Sequence, residues 1–235
     1  MIDLLDPTVI ITRMYESGKF DDMLDYCTKL LEINQNDMVA LQNSSLALLH
    51  LEKFEDSITF CDKVLAIKNF DIYALKNKIF SLEKLKKFDE SLVCCKTILD
   101  IDVNDIWTLD SMGLSLNELD RHSEAIEFYD KALKLDEKDI TALMNKAISL
   151  NHLKNYKESI EYYDQAQKVD SSIHEIWISK SQAFEKLGME DEAFLAAQGV
   201  LVKDMEQIKL DAKKNKCSVF HQLCQNEFEE LKDKK

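Results

Sequence analysis

Apolar residues recur along the chain at spacings of three and four, in short blocks separated by polar breaks. That period predicts amphipathic helices and not strands. The stretch 106–139 shows it most plainly. Leu109, Met112, Leu116 and Leu119 form one apolar stripe, Asp120-Arg121 interrupts it, and Ala125, Ile126, Tyr129, Ala132 and Leu133 begin a second. The block therefore reads as helix, turn, helix. Asp105 stands just before the first helix, where a carboxylate can accept from free backbone N–H groups. Ser123-Glu124 opens the second, with negative charge at the positive end of the helix dipole.

The same layout returns with a constant step of 34 residues. Leu51, Leu85, Leu119, Leu153 and Leu187 keep that step, as do Asp37, Asp71, Asp105 and Asp139. Phe20, Phe54 and Phe88 are continued by His122 and Tyr156. The register defines six units, 4–37, 38–71, 72–105, 106–139, 140–173 and 174–207, and a tail, 208–235. One helix pair cannot bury both of its apolar faces, so a solenoid in which each pair covers its neighbour is expected. The tail predicts a last amphipathic helix with Cys217, Phe220, Cys224, Phe228 and Leu231 on one face. It reads as a C-terminal cap, or as a helix that docks into the groove or onto another chain.

This period and pattern resemble the tetratricopeptide repeat (TPR) family. Leu109, Gly113, Leu116, Ala125, Tyr129 and Ala132 carry the resemblance in the fourth unit. Leu143, Ala147, Leu150, Tyr156, Tyr163 and Ala166 carry it in the fifth, and Trp177, Phe184, Gly188 and Ala193 in the sixth. The first three units depart from the family: Cys27, Cys61 and Cys95 replace its large aromatic, and Ile11 and Ile79 replace its small first-helix residue. No unit has the family's terminal proline. The resemblance implies an all-α fold, a right-handed α-α superhelix over a single domain 1–235, and a non-enzymatic protein-interaction role.

Composition narrows the classes. Four glycines and one proline are too few for the turns of a sandwich or barrel, and the glycines are too scattered for a phosphate loop. A net charge of -14 and only two arginines, Arg13 and Arg121, argue against nucleic acid. Much of the acidic excess sits at helix starts, in pairs such as Asp21-Asp22, Glu55-Asp56 and Asp89-Glu90. No stretch approaches the ~18 apolar residues of a membrane span. The start of the chain does not read as a signal peptide, so a cytoplasmic protein with reduced thiols is expected. Cys27, Cys61 and Cys95 read as one repeated core position, and Cys94 is expected to point off that face. Cys217, His221 and Cys224 share a face but lack a fourth ligand, so no metal is expected. No nucleophile, paired carboxylates or catalytic histidine is indicated, and no cofactor.

In the family, first-helix residues facing away from the second helix line a groove. Here those places supply Asn43, Leu46, Tyr73, Lys76, Asn77, Phe80, Trp107, Leu114, Met144, Asn145 and Ile148. An apolar and aromatic strip with interspersed amides suits a peptide or helix of a protein partner. Chaperone-tail binders of the family use a Lys/Asn/Arg clamp. The frames through Gln42, Leu46, Asn77, Trp107 and Ser111, or through Lys76, Phe80, Ser111, Thr141 and Asn145, match it at single places only, so that mode is not expected. The alternative function is self-association into a homo-oligomer through the groove or tail.

Overall fold

The computed structural model describes residues 6–233, with side chains through 226. Leu4 and Leu5, which open the first expected unit, and the side chains of Phe228 and Leu231 lie outside the described residues. Among the described residues there are fourteen α-helices and no strand. The first helices of the pairs are α1 (Pro7–Glu16), α3 (Met38–His50), α5 (Ile72–Lys84), α7 (Ile106–Glu118), α9 (Ile140–His152) and α11 (His174–Lys186). The second helices are α2 (Phe20–Ile33), α4 (Phe54–Ile67), α6 (Phe88–Leu99), α8 (His122–Leu135), α10 (Tyr156–Val169) and α12 (Glu190–Ala197). Two further helices follow, α13 (Val202–Lys214) and α14 (Val219–Asp233). The chain forms two compact units, 1–120 and 121–235.

Aspartates start the first helices as their position requires. Asp37, Asp71 and Asp105 each accept from the N–H three residues ahead, at 2.9, 3.0 and 2.8 Å, and Asp139 accepts from Thr141 and Ala142. The second helices have no side-chain cap; acids in their first turns meet the dipole instead. Between the helices of a pair the chain turns through a left-handed residue at the same place in every repeat: Gly18, Glu52, Lys86, Asp120, Lys154 and Gly188, with φ between 57° and 72°. Only two of these six are glycine. At the other four a β-carbon occupies a conformation costing about 1 kcal/mol, so the scarcity of glycine is a strain distributed over the turns.

In the first unit the core clusters lie between successive pairs. Leu75, Ile79, Leu82, Cys94, Cys95 and Ile98 form one of them, with Ile58, Leu65 and Met112 packed on it. Cys27, Cys61 and Cys95 are fully buried. Cys94, expected to face away, is also buried, because the packing of α5 on α6 encloses both neighbours. All six cysteines are free thiols. Ile11 and Ile79 are buried at the small-residue place.

Polar side chains join consecutive repeats. A lysine of one first helix reaches an aspartate of the preceding second helix in Lys78–Asp62, Lys146–Asp130 and Lys180–Asp164. The last pair is sealed from solvent. Lys180 also donates to the Gln167 side-chain oxygen and, at 3.0 Å, to the Val200 carbonyl. Asp164 accepts from the Val202 N–H at 2.9 Å and from Lys168 at 2.8 Å. Burial opposes charge on Asp164, yet these partners hold its carboxyl below the usual range.

This hub fixes the turn that ends α12. Gly199 there has φ +77°, and a Cβ on it would lie 2.8 Å from the Trp177 ring. The second helix of the sixth pair consequently stops after eight residues. The expected join between repeat and tail, at 207 and 208, falls inside α13. The tail helix α14 also turns a different face inward from the one its spacing suggested. Val219 and Gln222 are buried and Leu223 half-buried, whereas Phe220 and Cys224 are exposed. Val219 and Leu223 pack on the cluster of Ala183, Phe184, Leu195 and Met205, and that apolar surface sets the rotation of the helix.

Replacing Lys180 with Ala leaves Asp164 and Gln167 buried without their cation and should cost about 3–5 kcal/mol. Replacing Lys78, whose partner Asp62 is 54% exposed, should cost about 1 kcal/mol or less. Urea unfolding midpoints of the two variants check the contrast. Glu52→Gly should move the midpoint the other way, by up to about 1 kcal/mol, by removing a left-handed β-carbon.

Candidate functional site

In the first unit, α3, α5 and α7 present one face, and successive first helices touch. Tyr73 and Trp107 are exposed on it, at 76% and 39%. The Lys76 ammonium lies 2.7 Å from Asp105 Oδ2 and 5.2 Å from the Trp107 ring centroid. Lys76 thus ties α5 to the aspartate that caps α7. Bonds from Lys76 and Thr108 hold the Asp105 carboxyl below its ordinary range against the opposing effect of burial.

The amides are already in use. Asn77 donates to Ser45 Oγ at 3.0 Å, and Asn43 donates to the Val39 carbonyl at 2.8 Å. Leu46 packs against the core cluster around Met23 and Cys27. The strip offers apolar walls more than free backbone-binding groups.

Phe80 and Leu114 do come together. With Glu83, Lys84, Lys86, Phe88 and Glu118 they line a cavity of about 420 Å³ between α5 and α7. The Lys84 ammonium sits 5.1 Å from the centroid of the Phe80 ring. Glu83, one turn after Phe80, is half-buried, and its Oε1 is shut off from solvent with no hydrogen-bond partner. Burial pushes the Glu83 carboxyl up to about 7, and the Ser111 and Ser115 hydroxyls offset part of that rise.

In the second unit, Met144 and Ile148 are half-buried and pack on the cluster of Leu143, Ala147, Tyr163, Ala166 and Ile176. Asn145 is half-buried beside them. Asn151, His152, Tyr156, Gln182, Ala183 and Lys186 line a smaller cavity of about 190 Å³. The His122 and His152 rings stack at 4.3 Å.

Among the described residues, no three His, Cys, Asp or Glu side chains converge as a metal site, and no helix is long and apolar enough to cross a membrane. Burial raises the thiols of Cys27 and Cys61 to about 11 and that of Cys95 to about 12, leaving them protonated and unreactive.

The TPR family profile matches residues 109–139 and 140–173. These are tetratricopeptide repeats. The fold agrees over a longer stretch. A TPR protein from Parabacteroides merdae superposes with a TM-score of 0.71 at 16% identity, over 81% of this chain and 75% of its own. MamA from Desulfovibrio magneticus gives 0.67 at 21% identity, over 71% and 94%. YrrB, described as a TPR protein with an unusual peptide-binding site, gives 0.60 at 17% identity, over 80% and 97%. These likenesses establish a TPR solenoid fold. No curated protein matches the sequence.

Two features of the packing were missed from sequence, the Lys–Asp ion pairs and the buried state of Glu83, and only the first carries a signal. Lys78, Lys146 and Lys180 keep the repeat register, as do Asp62, Asp130 and Asp164, so the ion pairs were readable as a ladder. Glu83 has none of that regularity, and only its burial between α5 and α7 distinguishes it.

The Glu83 shift makes stability depend on pH with a definite sign. The unfolded chain releases this proton near 4.5 and the folded chain near 7, so stability falls as pH rises through that window and is flat above it. Glu83→Gln should remove this component, roughly 1–3 kcal/mol over the window, in urea titrations run at stepped pH.

Proposed function

We propose that the protein is a non-enzymatic interaction module acting in the cytoplasm. In this reading the repeats and the tail, 1–235, work as a single domain that binds an apolar-rich peptide or helix of a partner protein. The observation that carries the reading is the face of α5 and α7. Tyr73 and Trp107 are exposed there, and Phe80 and Leu114 wall an open cavity and leave it unfilled. Large apolar side chains around a concave site, rimmed by polar groups, suit a protein ligand. In this reading Asn43, Leu46, Lys76 and Asn77 contribute to the surface in the first unit, and Met144, Asn145 and Ile148 take the matching places of the second.

The lack of nucleophile, phosphate loop or metal cluster in the described residues directs the reading away from catalysis. A net charge of -14 directs it away from nucleic acid. The fold by itself fits many roles, so the partner is defined by the surface.

Phe80→Ala, Trp107→Ala and Leu114→Ala together should leave the helical circular-dichroism signal unchanged. The same triple variant should lose the proteins that the wild-type chain captures from its native cell extract, as compared by quantitative mass spectrometry. A capture profile identical to that of the wild type would remove the groove from the mechanism.

A further inference from the structure

The cavity between α5 and α7 recurs in the second unit with different chemistry. Asn151, His152, Tyr156, Gln182 and Lys186 each stand two repeats after Glu83, Lys84, Phe88, Leu114 and Glu118, in that order. The same backbone place therefore folds with an amide and an ammonium where the first unit has two carboxyls. Helix-pair packing does not require Glu83 or Glu118.

Glu83 nevertheless costs stability where it stands. A carboxyl oxygen removed from water without a donor is unfavourable, and Glu83 Oε1 is such an atom. Phe80, Phe88 and Leu114 are the apolar walls of the cavity it lines, and the Ser111 and Ser115 hydroxyls reach the same carboxyl from α7. The wall accepts cations, since the Phe80 ring already faces the Lys84 ammonium. Glu118 adds a second carboxylate at the exposed edge. The opposing charges are Lys84 and Lys86, both exposed and free to move their heads into water. Cys95, on α6, is the other titratable group near Glu83, and it stays a neutral thiol.

We propose that this cavity receives the side chain of one lysine or arginine from a peptide segment bound along the first unit's groove. The aliphatic stem lies against Phe80, Phe88 and Leu114. The cationic head pairs with Glu83, whose terminal torsion turns easily toward it, and Glu118 supports it from the rim. The inference rests on the groove reading above and adds the chemistry that the groove's ligand must present. It also links binding to protons. A cation favours the ionised carboxyl, so binding releases the Glu83 proton near neutrality, and affinity should rise from about pH 6 to about pH 8.

Short peptides selected from a random display library on the full-length protein supply the probe, with affinities measured by fluorescence anisotropy. The expected ligands carry Lys or Arg beside apolar residues. Replacing that one residue with norleucine should weaken binding about tenfold or more. Glu83→Gln should abolish both the preference for the cation and the pH dependence while binding the norleucine peptide as the wild type does. The pair Glu83→Asn and Glu118→Lys, which copies the second unit, should disfavour the basic peptide outright. Ligands that need Phe80 and Leu114 but show no basic preference, or a preference and pH profile that persist in Glu83→Gln, would overturn the inference and leave the groove reading intact. Failure to select any peptide sensitive to Phe80→Ala and Leu114→Ala would overturn both.

Discussion

A pair of amphipathic helices covers only one of its apolar faces by itself, and the other must be covered by the next pair. That requirement organises the protein. It demands that every repeat present the same surfaces at the same place, which is why the register holds from α1 through α11. It also explains why polar interactions between neighbours recur in the same register. Asp71 and Asp105 each cap the first helix that follows. Each also accepts from the first helix that precedes, from Gln42 and Lys76 respectively. One side chain thereby starts a helix and ties it to its neighbour.

The cost of this regularity appears in the turns. A short crossing between antiparallel helices needs one left-handed residue, and four of the six turns use a residue with a β-carbon. The packed faces on either side hold that conformation in place. Where the regular pattern ends, the means change. At Gly199 the backbone lies against Trp177 too closely for any side chain, and the buried Lys180, Asp164 and Gln167 hold the turn into α13. The final helices then orient on the apolar surface left by α11 and α12.

The candidate face reflects the same economy. Most of its polar groups are already engaged: Asn77 on Ser45 and Lys76 on Asp105 hold repeats together, and Asn43 bonds its own helix. What they leave for a partner is shape and apolar wall, with one poorly satisfied carboxyl inside it. Recognition by such a surface depends on a few side chains entering cavities.

The sequence by itself determined the fold class, the repeat length and the helix pairs, because an apolar stripe at helical spacing has one stable use and its recurrence every 34 residues leaves one way to stack. It also placed the aspartate caps. Four things were decided only by tertiary packing. The early stop of α12 and the inward face of α14 follow from contacts with Trp177 and the α11 and α12 surface, which no local period encodes. The burial of Cys94 depends on how closely α5 meets α6. The state of Glu83 depends on α7 closing over it: the residue is an ordinary helical glutamate in the chain, and only its loss of water raises its carboxyl toward neutrality. Periodicity reports which face of a helix is apolar, whereas desolvation belongs to the space between helices and exists only once they have packed.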